Sequence, residues 1–246
     1  RIARTGRPWE FDAVEVNGKI LIDSGVSVTN VPSIASTVRS SPESGFSIVT
    51  YSAASNPTIA HGLNAVPEFV IVKVLNVSSH WTIFHKDLGV NKELRFSTAA
   101  ASTVSGIWGT DSMWTSSTFG VYQTINQLDN NYGNMVAYCF APVEGYSAMG
   151  SYTGNGNADG VFVHTGFKIA WLMCKDITNS GESWNIHDAA REPTNVNDSR
   201  LIADSSAAEA TNAVFAVDFL SNGFKFRTGN DSHNQSGRTY IYLAFA

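Results

Sequence analysis

The chain has 246 residues, 43% of them hydrophobic, enough to bury a substantial core as one large β domain or two smaller ones. A formal net charge of −5 argues against the basic stripe on which nucleic-acid binding depends, so nucleic acid is not an expected partner. Only 15% of residues are charged, so Ser, Thr, Asn and Gly carry the polar surface; no apolar run approaches the ~20 residues of a membrane helix, and membrane insertion is not expected either.

The chain opens on Arg1 rather than Met and reads as part of a longer or processed protein. Ala13-Val14-Glu15-Val16, Asn17-Gly18 and Lys19-Ile20-Leu21-Ile22 spell a β-hairpin, because Asn-Gly supplies the positive φ angles of a tight turn. From Ser24 to Ser44 the chain is rich in Ser, Thr and Val, with Pro32 and Pro42, which suits an extended linker or a strand laid along a neighbour. Residues 1–44 are therefore read as an N-terminal hairpin and connector.

The rest of the chain repeats itself. Met135-Val136-Ala137-Tyr138-Cys139-Phe140-Ala141 recurs at the end as Tyr240-Ile241-Tyr242-Leu243-Ala244-Phe245-Ala246, and Gly45-Phe46-Ser47 recurs as Gly145-Tyr146-Ser147. Between these marks, Glu68-Phe69-Val70-Ile71-Val72-Lys73 answers to Ile169-Ala170-Trp171-Leu172-Met173-Cys174-Lys175. Trp81-Thr82-Ile83-Phe84-His85 answers to Trp184-Asn185-Ile186-His187-Asp188, and Phe119 to Phe224. A period of about one hundred residues is a duplicated domain, too long for a solenoid unit. Copy one spans 45–141 and copy two 142–246.

Strands are expected in copy one over 46–51, 68–75, 81–85, 93–97, 118–123 and 135–140. In copy two they are expected over 146–152, 161–164, 168–175, 184–188, 200–203, 216–220, 223–227 and 239–245. Asn222-Gly223 marks a second hairpin turn. Two Ala-rich stretches, 98–105 and 205–213, are the only helical candidates. The expected class is all-β: an internally duplicated, β-sandwich-like domain with an N-terminal hairpin and linker. The connector Pro142-Val143-Glu144 is too short to let the copies swing apart. They should pack together, as two abutting sandwiches or as one composite sandwich.

Cys139 aligns with Ala244 and Cys174 with Val72. Both read as buried free thiols serving as small hydrophobes, with a disulfide or metal pair as the alternative. His61 and His164 each precede a matched strand and read as turn residues bonded to backbone. Trp81 and Trp184, with Ile83 and Ile186, read as core, leaving His85 as a position peculiar to copy one.

Trp108 and Trp114 lie in Gly106-Ile107-Trp108-Gly109-Thr110-Asp111-Ser112-Met113-Trp114, a loop-like run without a counterpart in copy two. They cap a core or a subunit contact, or they stack on a sugar while Asp111 takes its hydroxyls. Asp129 and Asn131, at a polar tip before the closing strand, join Trp108, Trp114, Asp111 and His85 as candidate ligand contacts. Asn155, Asn157 and Asp159 have the alternating oxygens of a calcium loop but lack the leading Asp and closing Glu of an EF-hand, so a polar turn is the competing reading. Gly145-Tyr146-Ser147 is a repeated strand start rather than a nucleophile elbow. No other cofactor is implied.

The runs Gly45-Phe46-Ser47-Ile48-Val49-Thr50-Tyr51, Ala137-Tyr138-Cys139-Phe140-Ala141, Gly150-Ser151-Tyr152-Thr153-Gly154-Asn155-Gly156 and Asp218-Phe219-Leu220-Ser221-Asn222-Gly223-Phe224-Lys225 resemble an uncharacterised, duplicated β-rich domain. That domain occurs in tail-fibre-like structural proteins of tailed bacteriophages, especially those of aquatic hosts. The resemblance covers 45–246 and implies an extracellular virion component, a homo-oligomer with a trimer favoured. Its partners would be other virion proteins and a host-surface glycan or protein. It carries no catalytic residues over.

Receptor binding is thus the first expectation, and a purely structural virion module the second. A glycan-cleaving depolymerase is third, because it needs a carboxylate pair about 5–9.5 Å apart and the spacing of Asp87, Glu93, Asp188 and Glu192 selects none. The protein is not expected to be an enzyme.

Overall fold

The computed structural model describes residues 31–122 and 133–246, and before them only the backbone of three short strands. The chain divides into two compact units, Arg1–Val31 and Pro32–Ala246. In the first, β1 (Ile2–Ala3), β2 (Ala13–Val16) and β3 (Lys19–Asp23) form an antiparallel sheet with Val16 opposite Lys19. The expected Asn17-Gly18 turn lies outside the described residues.

The second unit is built of strands and 3-10 turns, with no α-helix among its described residues. Copy one contributes β4 (Ser36–Ser41), β5 (Phe46–Ser52), β6 (Thr58–Ala60), β7 (Phe69–Val74), β8 (Trp81–His85), β9 (Lys92–Arg95), β10 (Ser102–Thr103), β11 (Thr118–Gly120) and β12 (Asn134–Phe140). Copy two contributes β13 (Ser147–Thr153), β14 (Phe162–His164), β15 (Trp171–Asp176), β16 (Asn185–Asp188), β17 (Ser199–Ile202), β18 (Ala210–Thr211), β19 (Val217–Leu220), β20 (Gly223–Phe226) and β21 (Thr239–Phe245).

The two copies share a strand order, with β4 added to the large sheet of copy one and β19 to the small sheet of copy two. The large sheet of copy one runs β10-β9-β8-β7-β12-β5-β4, and that of copy two β18-β17-β16-β15-β21-β13. Each faces a small sheet, β11-β6 in one and β14-β20-β19 in the other. Ladder register carries the equivalence to single residues. Val72 lies opposite Ala137 and Thr82, as Cys174 lies opposite Tyr242 and Asn185. Phe119 lies opposite Ile59, as Phe224 lies opposite Val163.

The register also corrects some sequence expectations. Phe140 pairs with Phe46 while its equivalent Phe245 pairs with Ser147, so the two Gly-aromatic-Ser motifs are one residue out of step. Ala60 and His164 occupy matching ladder positions, so His61 and His164 are not equivalents. Both helical candidates instead contain two-residue edge strands, β10 and β18, held by β9 and β17. Part of the supposed linker is β4, paired along the whole of its length with β5. Leu220 faces Gly223, so Ser221 and Asn222 form the turn. Gly223 instead serves close packing, since a Cβ there would sit 2.0 Å from the Val163 carbonyl oxygen.

Alternating side chains divide each large sheet between two cores. In copy one Val49, Val70, Val72, Ala137 and Cys139 face the small sheet and meet Ile59 and Phe119. In copy two Leu172, Cys174, Tyr240, Tyr242 and Ala244 face Val163, Phe219 and Phe224. The opposite faces of the two large sheets pack on one another through Phe69, Ile83, Leu94, Met149, Met173, Trp184, Ile241 and Leu243. The unit is a four-layer stack, small sheet, large sheet, large sheet, small sheet. Burial on both faces explains why Phe69-Val70-Ile71-Val72 and Tyr240-Ile241-Tyr242-Leu243-Ala244-Phe245 read as unbroken apolar runs. Cys139 and Cys174 are free and buried, and burial pushes both thiols up to about 12.

The two copies meet through the outward faces of their large sheets. The equivalent residues Phe140 and Phe245 touch, with ring centroids 6.2 Å apart. Trp184 of copy two lies against Phe69 and Phe96 of copy one, and its Nε1 donates to the Arg95 carbonyl at 2.8 Å.

Candidate functional site

The sequence candidates do not converge. Trp108 is fully buried in the first sandwich core, with Nε1 donating to the Lys92 carbonyl at 3.0 Å. Trp114 stacks on Phe84 at 3.6 Å, and its Nε1 donates to the Trp108 carbonyl. These rings close the end of a sandwich, which leaves Trp108 no face for a ligand and covers one face of Trp114. Asp111 is exposed beside Asn91, Thr110 and Tyr122, on a groove of about 450 Å³. His85 is fully buried, its Nδ1 accepts from Asp87 N–H, and burial lowers its pKa to about 4. Asp129 and Asn131 lie outside the described residues.

The calcium-like loop is organised around an amide. Asn155 Oδ1 accepts from Asn157 N–H and Asn157 Oδ1 from Asp159 N–H, while Asp159 pairs with Lys225 at 2.7 Å. Asn234 is fully buried, and its Nδ2 donates to Asn155 Oδ1 at 2.8 Å, the Asn157 carbonyl at 3.0 Å and the Thr228 carbonyl at 2.8 Å. A side-chain NH₂ thus occupies the place where the loop oxygens converge. Asn234→Ala removes the donor to the Asn157 and Thr228 carbonyls and the acceptor of Asn155 N–H, and is expected to cost about 3 kcal/mol by urea unfolding. Restoration of that stability by millimolar calcium would instead mean that the loop is a cation site.

Ser147, the repeated serine, is buried, and its Oγ accepts from Val143 N–H at 3.0 Å. The carboxylates weighed for hydrolysis lie in separate contacts. Glu93 pairs with Arg95, Asp188 pairs with Arg191, and Glu192 accepts from the N–H groups of Asp198 and Ser199.

The reading of Trp81 as core is corrected by the structure. Its counterpart Trp184 is 1% exposed, yet Trp81 is 40% exposed. Its ring lies near that of Tyr138, with centroids 6.1 Å apart and planes at 32°. It opens onto a groove of about 580 Å³ where the two copies meet, lined by Trp81 and Phe96 of copy one and by Ala203, Asp204, Ser205 and Ser206 of copy two. That volume is in the range of small-ligand sites. One wall is aromatic, while the other offers a carboxylate and two exposed serines.

The polar wall is held in place. Asp204 Oδ1 accepts from Trp184 N–H at 2.9 Å, and Ala203 N–H donates to the Trp184 carbonyl at 3.0 Å. Lys73, opposite Trp81 on the β7–β8 ladder, has its ammonium tied to the carbonyl and hydroxyl of Ser79. Asp204 is therefore the charged group lining the groove.

In comparison with known proteins, the model of a family described as a domain of unknown function, DUF7483, matches residues 21–246. No curated protein and no solved structure matches the chain.

Proposed function

We propose that this chain, which belongs to the DUF7483 family, is a non-catalytic module of a virion fibre that holds a host-surface glycan in the Trp81 groove. The observation that carries the reading is the exposed Trp81 ring facing a polar wall across a groove of about 580 Å³. A sugar ring has one face of C–H groups and a periphery of hydroxyls, and such a groove offers a partner to each. The separation of the carboxylates into local ion pairs and backbone contacts supports binding rather than hydrolysis. The setting, an extracellular homo-oligomer, trimeric by preference, in contact with other virion proteins, rests on the resemblance to tail-fibre-like proteins.

A purely structural module is the second reading. An apolar cleft of about 330 Å³ between Phe46, Phe140, Tyr146 and Phe245 at the seam of the copies favours it as a subunit contact.

The test is retention on host cells and on immobilised polysaccharides by the native oligomer, beside a Trp81→Ala variant shown to be folded by circular dichroism. Loss of the stacking face is expected to weaken binding at least about tenfold, since such ring contacts contribute over 1 kcal/mol. Equal retention of the two proteins would remove the groove from the account. Absence of any retention would favour the structural module.

A further inference from the structure

The groove has a specific origin in the duplication, and that origin constrains its occupant. Phe96 N–H donates to the Trp81 carbonyl at 3.3 Å, and Ala203 N–H donates to the Trp184 carbonyl at 3.0 Å. Arg95 lies opposite Thr82 as Ile202 lies opposite Asn185. Phe96 and Ala203 are therefore the same position in the two copies. Across the contact between the copies, Phe96 packs edgewise on Trp184, centroids 5.1 Å apart and planes at 62°. The reciprocal contact would put residue 203 on Trp81, but residue 203 is Ala, and Trp81 is left exposed. The Trp81 groove is the Trp184–Phe96 contact with its ring removed.

Resting on the carbohydrate reading above, we infer that the groove takes a neutral pyranose bearing vicinal hydroxyls, seated where a ring at position 203 would lie. The sugar's C–H face lies on Trp81. Two adjacent hydroxyls donate toward Asp204, whose Oδ1 is anchored by Trp184 N–H. A carboxylate accepts from two neighbouring hydroxyls as readily as from a bidentate donor. Ser205 and Ser206 extend the polar wall. An acidic sugar would bring its own carboxylate against Asp204 with no cation among the lining residues, so uronate polymers bind less well than neutral ones. An aromatic side chain of a protein partner fits the vacancy in shape, but it would bury Asp204 and the two serines against hydrocarbon without hydrogen-bond partners. The wall favours the sugar.

The test uses the full chain in its native oligomeric state, with mannan and dextran as neutral polymers, polygalacturonate as the acidic one, and a Phe/Tyr-rich peptide as the aromatic competitor. Ala203→Phe restores the missing ring. It is expected to remain folded, to protect Trp81 from acrylamide quenching, and to lose neutral-polymer binding at least about tenfold. Asp204→Asn keeps an oxygen for Trp184 N–H but removes the charge; neutral binding should fall about tenfold and the bias against polygalacturonate should shrink. Polygalacturonate bound by wild type as tightly as mannan, yet lost in Trp81→Ala, would overturn this inference while leaving carbohydrate binding intact. Displacement by the peptide but by no sugar would overturn the sugar assignment. Neutral binding unchanged in Ala203→Phe would overturn the placement.

Discussion

Lowering the pH from 7 to 5 is expected to remove most of the protein's stability, well before the carboxylates titrate. Four histidines are fully buried, His61, His85, His187 and His233. Burial lowers the pKa of each, to about 4 for His85 and His187 and well below the ordinary value for His233. Their hydrogen bonds suit the neutral ring. His61 Nδ1 accepts from Leu63 N–H while its Nε2 meets the Thr115 carbonyl. Asn197, oriented by the bond from its Nδ2 to the Asp188 carbonyl, presents Oδ1 to His187 Nδ1. His187 Nδ1 must then carry the proton, so its Nε2 accepts from His233 Nε2–H at 3.0 Å. His233 Nδ1 is left bare and buried, near the Arg200 guanidinium, which further disfavours protonation.

The sign follows from linkage. A folded-state pKa below the unfolded value of about 6.5 means the unfolded chain takes up protons first. The contribution of these rings is complete above pH 6.5, falls as the pH drops, and levels off only below about 4. His85, His187 and His233 together give a slope of about 4 kcal/mol per pH unit near pH 5, to which His61 adds in the same direction, against a total domain stability of about 5–15 kcal/mol. Urea midpoints measured from pH 7.5 to 4.5 should fall steeply below pH 6.5. His233→Phe, whatever its effect at pH 7.5, should flatten that fall by about one proton's share. A midpoint that holds constant down to pH 5 would contradict the assignment.

The second expectation sets two equivalent residues against each other. Trp184→Ala empties the centre of the stack and strands the Arg95 carbonyl, for an expected loss of about 3–5 kcal/mol. Trp81→Ala, at the matching position, removes a ring that is 40% exposed and should cost about 1 kcal/mol or less. Urea unfolding of both variants at pH 7.5 decides it, and comparable losses would mean that the two positions are packed alike in solution.

That pair also shows how far the sequence could be read. The repeat was legible, and with it the order of the matched strands, because burial on both faces wrote long apolar runs into the chain. Trp81 and Trp184 were equally legible as equivalents. Their different fates were not, because these are decided by Phe96 and Ala203 on the opposite copy. Trp108 and Trp114 could be read either as core caps or as ligand platforms, because a loop that caps a sandwich has the same composition as one that meets solvent. Asn155, Asn157 and Asp159 left a polar turn and a cation site both open, because the amide that satisfies two of their oxygens comes from Asn234, 77–79 residues away. The edge strands β10 and β18 are two residues long, too short to leave a period in the sequence.

The packing of the two large sheets on one another has a further consequence. A homodimer of a single repeat would obey strict self-complementarity: any substitution at position 96 would appear on both sides of the axis at once. Ala there would open two grooves and strip the ring from both central tryptophans; Phe would close both. Carrying the two halves on one polypeptide removes that constraint. One half supplies the ring that cements the molecule, the other omits it and leaves a cleft, and a single subunit holds a filled and a vacant version of the same contact.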